Sequence, residues 1–159
     1  MSYDIKLLKK LREETSAPIA DIKNALEASK GDDPSTSSGQ LEQKAKEWLR
    51  KKGFERADKK GAREVKAGTV QTYLHATGNS GATVVLLTET DFVSRTDEFK
   101  NLAKEIAMQV TAMNPEDEKE LLEQPYIRDA SKTVGELIKE NIAKFGENIQ
   151  LKDFKRFSV

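Results

Sequence analysis

Three stretches in the first fifty residues carry apolar side chains every three to four positions, the spacing of one face of an α-helix. Residues 32–40 (DDPSTSSGQ) predict a loop before the third stretch, and Gly53 predicts the end of the third helix. The pattern therefore predicts a three-helix module over residues 1–53. Its apolar positions are Ile5, Leu8 and Leu11, then Ile19, Ile22 and Leu26, then Leu41, Ala45, Trp48 and Leu49.

After Gly68 the apolar positions change to the alternation of a β-strand. Residues 78–81 (GNSG) predict a turn, and the continuously apolar residues 82–87 (ATVVLL) predict a central strand covered on both faces. The two strands therefore form a predicted hairpin. The first strand has an apolar face with Val70, Thr72 and Leu74, and a polar-aromatic face with Gln71, Tyr73 and His75.

Two helices and a last strand follow the hairpin. Ser94 with Asp97, and Thr133 with Glu136, resemble capping boxes and predict where the helices begin. The final apolar alternation slips at Asp153, which predicts a last strand with a bulge or bend.

These elements together predict an α+β protein in three parts. A three-helix bundle (residues 1–53) precedes a basic linker (54–67) and a small antiparallel sheet with helices packed on one face (68–159). Residues 50–66 hold eight basic and three acidic residues, a local charge of +5, and form either a solvated helical linker or a patch for RNA or an acidic protein surface. Because the whole chain has zero net charge, no direct nucleic-acid partner is expected.

The residue types exclude several kinds of chemistry. The chain has no cysteine and one histidine, His75, which excludes thiol nucleophiles, iron–sulfur clusters and histidine-rich metal sites. No phosphate-binding loop or G-x-S-x-G motif is present. A hydrolase that uses only carboxylates stays open, but we expect a binding or remodelling protein without catalytic residues, metal or cofactor. No stretch approaches the ~20 apolar residues of a membrane span, so a cytoplasmic protein without membrane contact is expected.

Residues 88–93 (TETDFV), which we call the corner, lead from the central strand into the next helix. The apolar stripe of that helix is complete from Phe99 onward, so Phe92 is not needed to finish it. A large aromatic residue at such a position either fills the end of the core or projects from the surface, and the sequence alone favours the core.

The corner resembles the T-D-F-V signature of the elongation factor Ts family, the bacterial and organellar nucleotide exchange factors of the GTPase elongation factor Tu. Other stretches resemble the family in the same order along nearly the whole chain, and the ordered set is specific. They are residues 11–15 with 21–26, residues 62–64 with Gly68, and residues 101–103, 107–108, 113–115, 124–126, 132–134 and 145–149.

The resemblance implies that the chain promotes release of GDP from elongation factor Tu and its exchange for GTP during translation elongation. In the family, an Asp-Phe pair lies beside the nucleotide domain of the GTPase, where the phenylalanine inserts between helices and the Mg²⁺ site is disturbed. That role falls on Asp91 and Phe92, with Thr90 and Val93 shaping the corner. The implied partner is elongation factor Tu, both bound to GDP and free of nucleotide.

The resemblance also implies a role for the three-helix module. In the family this module is ubiquitin-associated-like and docks on the same nucleotide domain. Arg12 and Lys23 match positions of that contact, and Ile19 and Ala20 stand where the family usually has two methionines.

The sheet module of the family meets another domain of the GTPase, and short members with a single core pair through their sheets. Tyr73 and His75 are therefore candidates for a partner contact or for the face of a homodimer. Larger members duplicate the core and carry extra helices where residues 115–124 are short here, whereas residues 35–40 add length. The alternative function is a non-catalytic RNA- or ribosome-associated protein that uses residues 50–66.

Overall fold

The computed structural model describes residues 5–30 and 37–159. Contacts along the chain divide it into two units, Met1–Arg56 and Ala57–Val159, each with its own apolar core. The first unit holds helices α1 (Ile5–Thr15) and α2 (Ile19–Lys30) and most of α3 (Ser38–Lys60), as the apolar spacing predicted. Its buried core consists of Leu11, Ile22, Ala25, Leu26, Ala45 and Leu49.

Helix α3 begins earlier than the sequence predicted. The Gln40 amide donates to Ser37 Oγ at 3.4 Å, and the Ser37 amide donates to Gln40 Oε1 at 3.3 Å. This reciprocal cap begins the helix inside the predicted loop. The prediction of a loop over residues 38–40 is therefore wrong, and residues 32–36 of that loop lie outside the described part of the chain.

Helix α3 also ends later than predicted, because it continues through Gly53 to Lys60. One glycine inside a helix costs only about 1 kcal/mol, which the rest of a long helix can offset. Ala57, one turn further on, is buried in the core of the second unit. The predicted helix end at Gly53 is therefore wrong, and the first seven residues of the predicted linker are helical.

The second unit is built on a three-stranded antiparallel sheet in the order β1-β2-β5, with β1 at Ala67–Leu74, β2 at Ser80–Thr88 and β5 at Ile149–Ser158. The other elements are α4 (Asp91–Ser94), α5 (Asp97–Met113), α6 (Glu118–Glu123), β3 (Pro125–Tyr126), β4 (Asp129–Thr133) and α7 (Val134–Phe145). Helix α5 packs along all three strands, and its apolar stripe is buried there. The predicted α+β class with a small antiparallel sheet is confirmed.

The sheet turns its polar-aromatic face, and not its apolar face, toward the helices. Tyr73 packs against the core, whereas Val70 and Leu74 are 62% and 70% exposed. Across the sheet, Phe157 is 59% exposed, opposite Gly81. We call Val70, Leu74 and Phe157 the open sheet face. The prediction of a central strand covered on both faces is wrong, since only alternate residues of β2 are buried.

Two local predictions in the second unit are confirmed. The pairing of β2 with β5 shifts register between Val85 and Leu86, opposite Asp153 and Leu151, which is the predicted bulge. The capping box that begins with Thr133 is formed at the start of α7.

The capping box predicted at Ser94 is wrong. Ser94 is the last residue of the short helix α4, and α5 begins at Asp97 with Thr96 as its N-cap. The Thr96 hydroxyl accepts a hydrogen bond from the Phe99 amide at 3.2 Å, which satisfies an amide that has no partner inside the helix. The β3–β4 hairpin was not predicted.

Candidate functional site

The corner turns the chain from the end of β2 into the four-residue helix α4. Phe92 is 84% exposed, whereas the next residue, Val93, packs against the core of the second unit. The interpretation of Phe92 as a core residue is therefore wrong, because its ring projects from the surface. Asp91 beside it is also exposed, and its carboxylate lies 2.9 Å from Arg95 Nη2.

The carboxylate of Glu147 holds the corner from the segment between α7 and β5. Glu147 Oε2 accepts hydrogen bonds from Thr88 Oγ1 at 2.9 Å and from the Thr90 backbone amide at 3.0 Å. Glu147 Oε1 accepts a third bond from Thr90 Oγ1 at 2.6 Å. The segment just before Asp91 and Phe92 is therefore held by one backbone and two side-chain hydrogen bonds to a single carboxylate.

Glu89 makes the reverse connection, from the corner back to the segment that carries Glu147. Glu89 Oε1 accepts the backbone amide of Asn148 at 2.7 Å and lies 3.6 Å from Arg63 Nη1. Asn148 is 1% exposed, and its Nδ2 donates to the Arg63 carbonyl at 2.8 Å. Acidic side chains from both segments thus connect the end of β2 with the start of β5.

The environment of Glu147 favours its ionised form. Burial alone would raise the pKa of this carboxyl. Hydrogen bonds from Thr90 and Thr88 and from the Glu89 backbone outweigh burial, and the pKa is lowered from its ordinary value of 4.5. Glu147 is therefore a carboxylate at neutral pH and accepts all of these bonds.

The residues predicted to bind a partner in the first unit are all exposed: Arg12, Ile19, Ala20 and Lys23, which we call the N-terminal face. Lys23 follows Ala20 by three positions and Ile19 by four, so these three share one side of α2. Arg12 lies in the last turn of α1.

A half-buried ion pair, between buried Asp21 and exposed Arg56, restrains the helix that carries most of the N-terminal face. Asp21 of α2 is buried, and both of its carboxylate oxygens bind the guanidinium of Arg56, one of them at 2.9 Å from Nη2. Such a bidentate contact restrains both the position and the rotation of the side chains. Helices α2 and α3 of the first unit are therefore joined by charge as well as by the apolar core.

Tyr73 and His75 do not form the uncovered surface that the sequence predicted. The ring of Tyr73 packs against the core, and its hydroxyl lies 3.3 Å from Nδ1 of the exposed His75. The open sheet face and the Glu147 contacts were missed. The open sheet face had a signal in the apolar positions of β1, but that signal predicted a face covered by the core.

The described residues contain no group of three or more His, Cys, Asp or Glu side chains that could hold a metal ion. Within the same residues, none of the helices is both long enough and apolar enough to cross a membrane.

Comparison with protein families matches residues 89–159 to the family described as Elongation factor TS. This segment begins within the corner and includes both Phe92 and Glu147.

Curated relatives match the whole chain. Elongation factor Ts of Thermotoga neapolitana is 40% identical over 202 aligned residues, which cover 100% of this chain and 98% of the relative. Elongation factor Ts of Coprothermobacter proteolyticus is 38% identical over 204 residues, covering 100% and 99%. Elongation factor Ts of Nostoc sp. is 43% identical over 154 residues, covering 97% of this chain and 46% of the relative.

These matches place the chain among the translation elongation factors. The chain belongs to the elongation factor Ts family. Two of the alignments are longer than the 159 residues of this chain, so those relatives contain segments that are absent here.

Proposed function

We propose that this chain is the nucleotide exchange factor of the GTPase elongation factor Tu. It binds the GDP complex and promotes the replacement of GDP by GTP during translation elongation. The observation that carries the proposal is the 84% exposure of Phe92 on a T-D-F-V corner whose backbone is fixed by Glu147. Membership of the elongation factor Ts family supports the same function.

The proposed mechanism needs no contact between the chain and the nucleotide. GTPases hold GDP through backbone amides and Mg²⁺, so release is slow while both contacts persist. Phe92 inserts between helices of the nucleotide domain, and Asp91 approaches the Mg²⁺ site. Because the ring binds only the conformation in which the phosphate contacts are broken, binding of the chain and binding of GDP oppose each other. Thr90 and Val93 keep the corner in place from two sides, through Glu147 and through the core.

The three-helix unit supplies the second contact in this proposal. It is ubiquitin-associated-like and docks on the nucleotide domain of elongation factor Tu through the N-terminal face. Ile19, 40% exposed, and Ala20 give this face an apolar centre, and Arg12 and Lys23 give it positive charge. Such a surface suits an acidic rim around an apolar patch on the partner.

The chain acts by binding and not as an enzyme in this proposal. It uses no catalytic residue and no cofactor of its own, since the free energy comes from the contacts with each state of the GTPase. Its place of action is the cytoplasm, where elongation factor Tu works.

A homodimer through the open sheet face completes the proposal. Val70, Leu74 and Phe157 form an exposed apolar surface, and the same surface on a second copy is complementary to it about a two-fold axis. This replaces the pairing through Tyr73 and His75, because Tyr73 packs against the core of its own unit.

The alternative function, RNA or ribosome binding through residues 50–66, has less support. Carboxylates neutralise several of its basic residues, which reduces the charge available to phosphates. The pairs are Lys52 with Glu55, Arg56 with Asp21, Arg63 with Glu89, and Lys66 with Glu64.

The test of the proposed function is release of labelled GDP from elongation factor Tu in excess unlabelled GTP. A substoichiometric amount of the chain should release several equivalents of GDP, since each copy leaves when GTP binds. Heat-denatured chain is the control. Release that stays at the spontaneous rate, together with binding of RNA that weakens steeply with salt, would favour the alternative.

A further inference from the structure

We propose that Glu147 is a positioning residue for nucleotide exchange, which holds the corner so that the Phe92 ring stays directed away from the surface. The inference rests on the proposed function, because it assigns Glu147 to the same exchange step. Glu147 itself need not touch the partner.

The first support is the number of contacts that Glu147 makes with the corner. Besides the bond from the Glu89 backbone, its two oxygens accept three hydrogen bonds, from Thr88 Oγ1, the Thr90 amide and Thr90 Oγ1, at 2.9, 3.0 and 2.6 Å. Hydrogen bonds to an ionised acceptor are stronger than those between neutral groups. All three donors lie within four residues of Phe92.

The second support is the unusual use of the Thr90 hydroxyl. Thr90 is the N-cap of α4, where a threonine normally accepts a hydrogen bond from an amide of its own helix. Here its side chain makes no such cap and donates to Glu147, which is 57 positions away in the sequence. The hydroxyl therefore fixes α4 to another part of the unit.

The third support is the length of α4. A helix of four residues cannot hold its own direction, since most helical stability comes from length and packing. Val93 supplies the packing on the inner side. Among the described residues, the Thr90 hydroxyl and amide find their side-chain hydrogen-bond partner in Glu147, so loss of Glu147 removes this polar restraint and leaves the packing of α4.

The fourth support is that Glu147 is itself held in place. The amide of its neighbour Asn148 donates to Glu89 Oε1 at 2.7 Å, and Asn148 Nδ2 donates to the Arg63 carbonyl at 2.8 Å. The segment that carries Glu147 is thus fixed to the corner in both directions. A positioning group has to be rigid in this way to transmit an orientation.

The test compares three variants in the GDP release assay. Glu147→Ala removes all three contacts and should lower the maximal exchange rate about tenfold, with the half-saturating concentration changed less than about twofold. Glu147→Gln should recover most of the rate, because an amide oxygen accepts from the Thr90 amide and the amide nitrogen donates to a hydroxyl. Glu123→Ala, at an exposed glutamate of α6, is the control and should match the unmodified chain.

A double variant decides whether Glu147 acts through Phe92. In a Phe92→Ala chain the ring is already gone, so adding Glu147→Ala should lower exchange by less than about twofold. If the two losses multiply instead, Glu147 acts independently of the ring and the inference is overturned.

Hydrogen exchange of the free chain tests the inference without elongation factor Tu. The amides of Thr90 and Ser94, which donate to Glu147 and to the Thr90 carbonyl, should exchange at least about tenfold faster in Glu147→Ala and return toward the original rate in Glu147→Gln. Unchanged amide exchange in Glu147→Ala would overturn the inference. A chain that fails to release GDP but shows this pattern would reject the proposed function and leave the structural role of Glu147 intact.

Discussion

Asp91 and Phe92 of the corner are exposed, as is the N-terminal face. Both surfaces are proposed to bind the same partner, yet they are positioned by different means. On the N-terminal face, three of the four residues lie on a single helix of 12 residues, whose regular turn places them together. In the corner, Phe92 lies on a helix of four residues. Its surroundings depend on Glu147, which lies 57 positions from Thr90 and 59 from Thr88.

This difference in positioning predicts which kinetic parameter of nucleotide exchange each surface controls. On a regular helix face several side chains share the contact, so each substitution removes only part of the binding free energy. At the corner the effect depends on one ring and on the backbone geometry that directs it. We therefore expect changes on the N-terminal face to alter the concentration at which the chain acts, and changes at the corner to alter the maximal rate.

Phe92→Ala should have the largest effect. The maximal rate of GDP release should fall by about 10- to 100-fold, which corresponds to roughly 1.4–2.8 kcal/mol of lost binding to the nucleotide-released state. The free energy of unfolding should change by less than about 0.5 kcal/mol, because the ring is exposed. Melting curves and GDP release measured on the same preparation check both statements.

Phe157→Ala is the matched control for Phe92→Ala. It removes another exposed phenylalanine from the same unit, at 59% exposure on the open sheet face. Its maximal exchange rate should stay within about twofold of the unmodified chain. An equal loss of exchange in both variants would mean that general surface hydrophobicity, and not the corner, drives release.

Lys23→Glu should have the next largest effect, on affinity. Reversing one charge on the N-terminal face should raise the half-saturating concentration by about tenfold and leave the maximal rate unchanged. Lys119→Glu makes the same charge change at an exposed lysine of α6 and should have no such effect. A rise that persists unchanged at high salt would contradict the electrostatic reason for it.

Leu74→Glu should have a small effect on the exchange rate and a clear effect on the mass of the particle in solution. A charge on the open sheet face should separate the proposed homodimer into particles of 17.8 kDa, while the maximal rate stays within about twofold. Light scattering at micromolar concentration measures the change. If the unmodified chain already scatters as a 17.8 kDa particle, the homodimer is rejected.

The smallest effect concerns pH and Glu147. The folded state lowers the pKa of Glu147 below 4.5, so its contribution to stability is fully present above that pH and is lost as pH falls through the lowered pKa. The melting temperature of the unmodified chain should therefore exceed that of Glu147→Gln at pH 7, and the gap should narrow below pH 4.5. A gap that stays constant between pH 7 and about pH 3 would contradict the linkage.

Local patterns in the sequence were sufficient for much of the fold. Apolar spacing predicted the helices of the first unit, the slip at Asp153 predicted the bulge, and Thr133 with Glu136 predicted a helix start. Ser37 with Gln40 is an equally local capping signal for α3, and it lies inside the stretch that was predicted to be a loop. The prediction of a helix end at Gly53 was wrong because one interior glycine destabilises a long helix only slightly.

Features that depend on distant residues could not be predicted in this way. Alternation along β1 indicates that its two faces differ, but packing of α5 decides which face is covered, and it covers Tyr73. The exposure of Phe92 depends on the path of the corner. The corner is hydrogen-bonded to Glu147 through Thr90, 57 positions away in the sequence. Hydrophobic periodicity and capping patterns describe only neighbouring residues, so they could not predict this contact.

The most direct test is a titration of the GDP release rate against chain concentration, with the unmodified chain, Phe92→Ala and Lys23→Glu measured side by side. The account predicts that Phe92→Ala lowers the plateau by about 10- to 100-fold with a midpoint within about twofold. It predicts that Lys23→Glu keeps the plateau and moves the midpoint. A Phe92→Ala curve that reaches the plateau of the unmodified chain would contradict the account. So would two variants that both change only the plateau or both change only the midpoint.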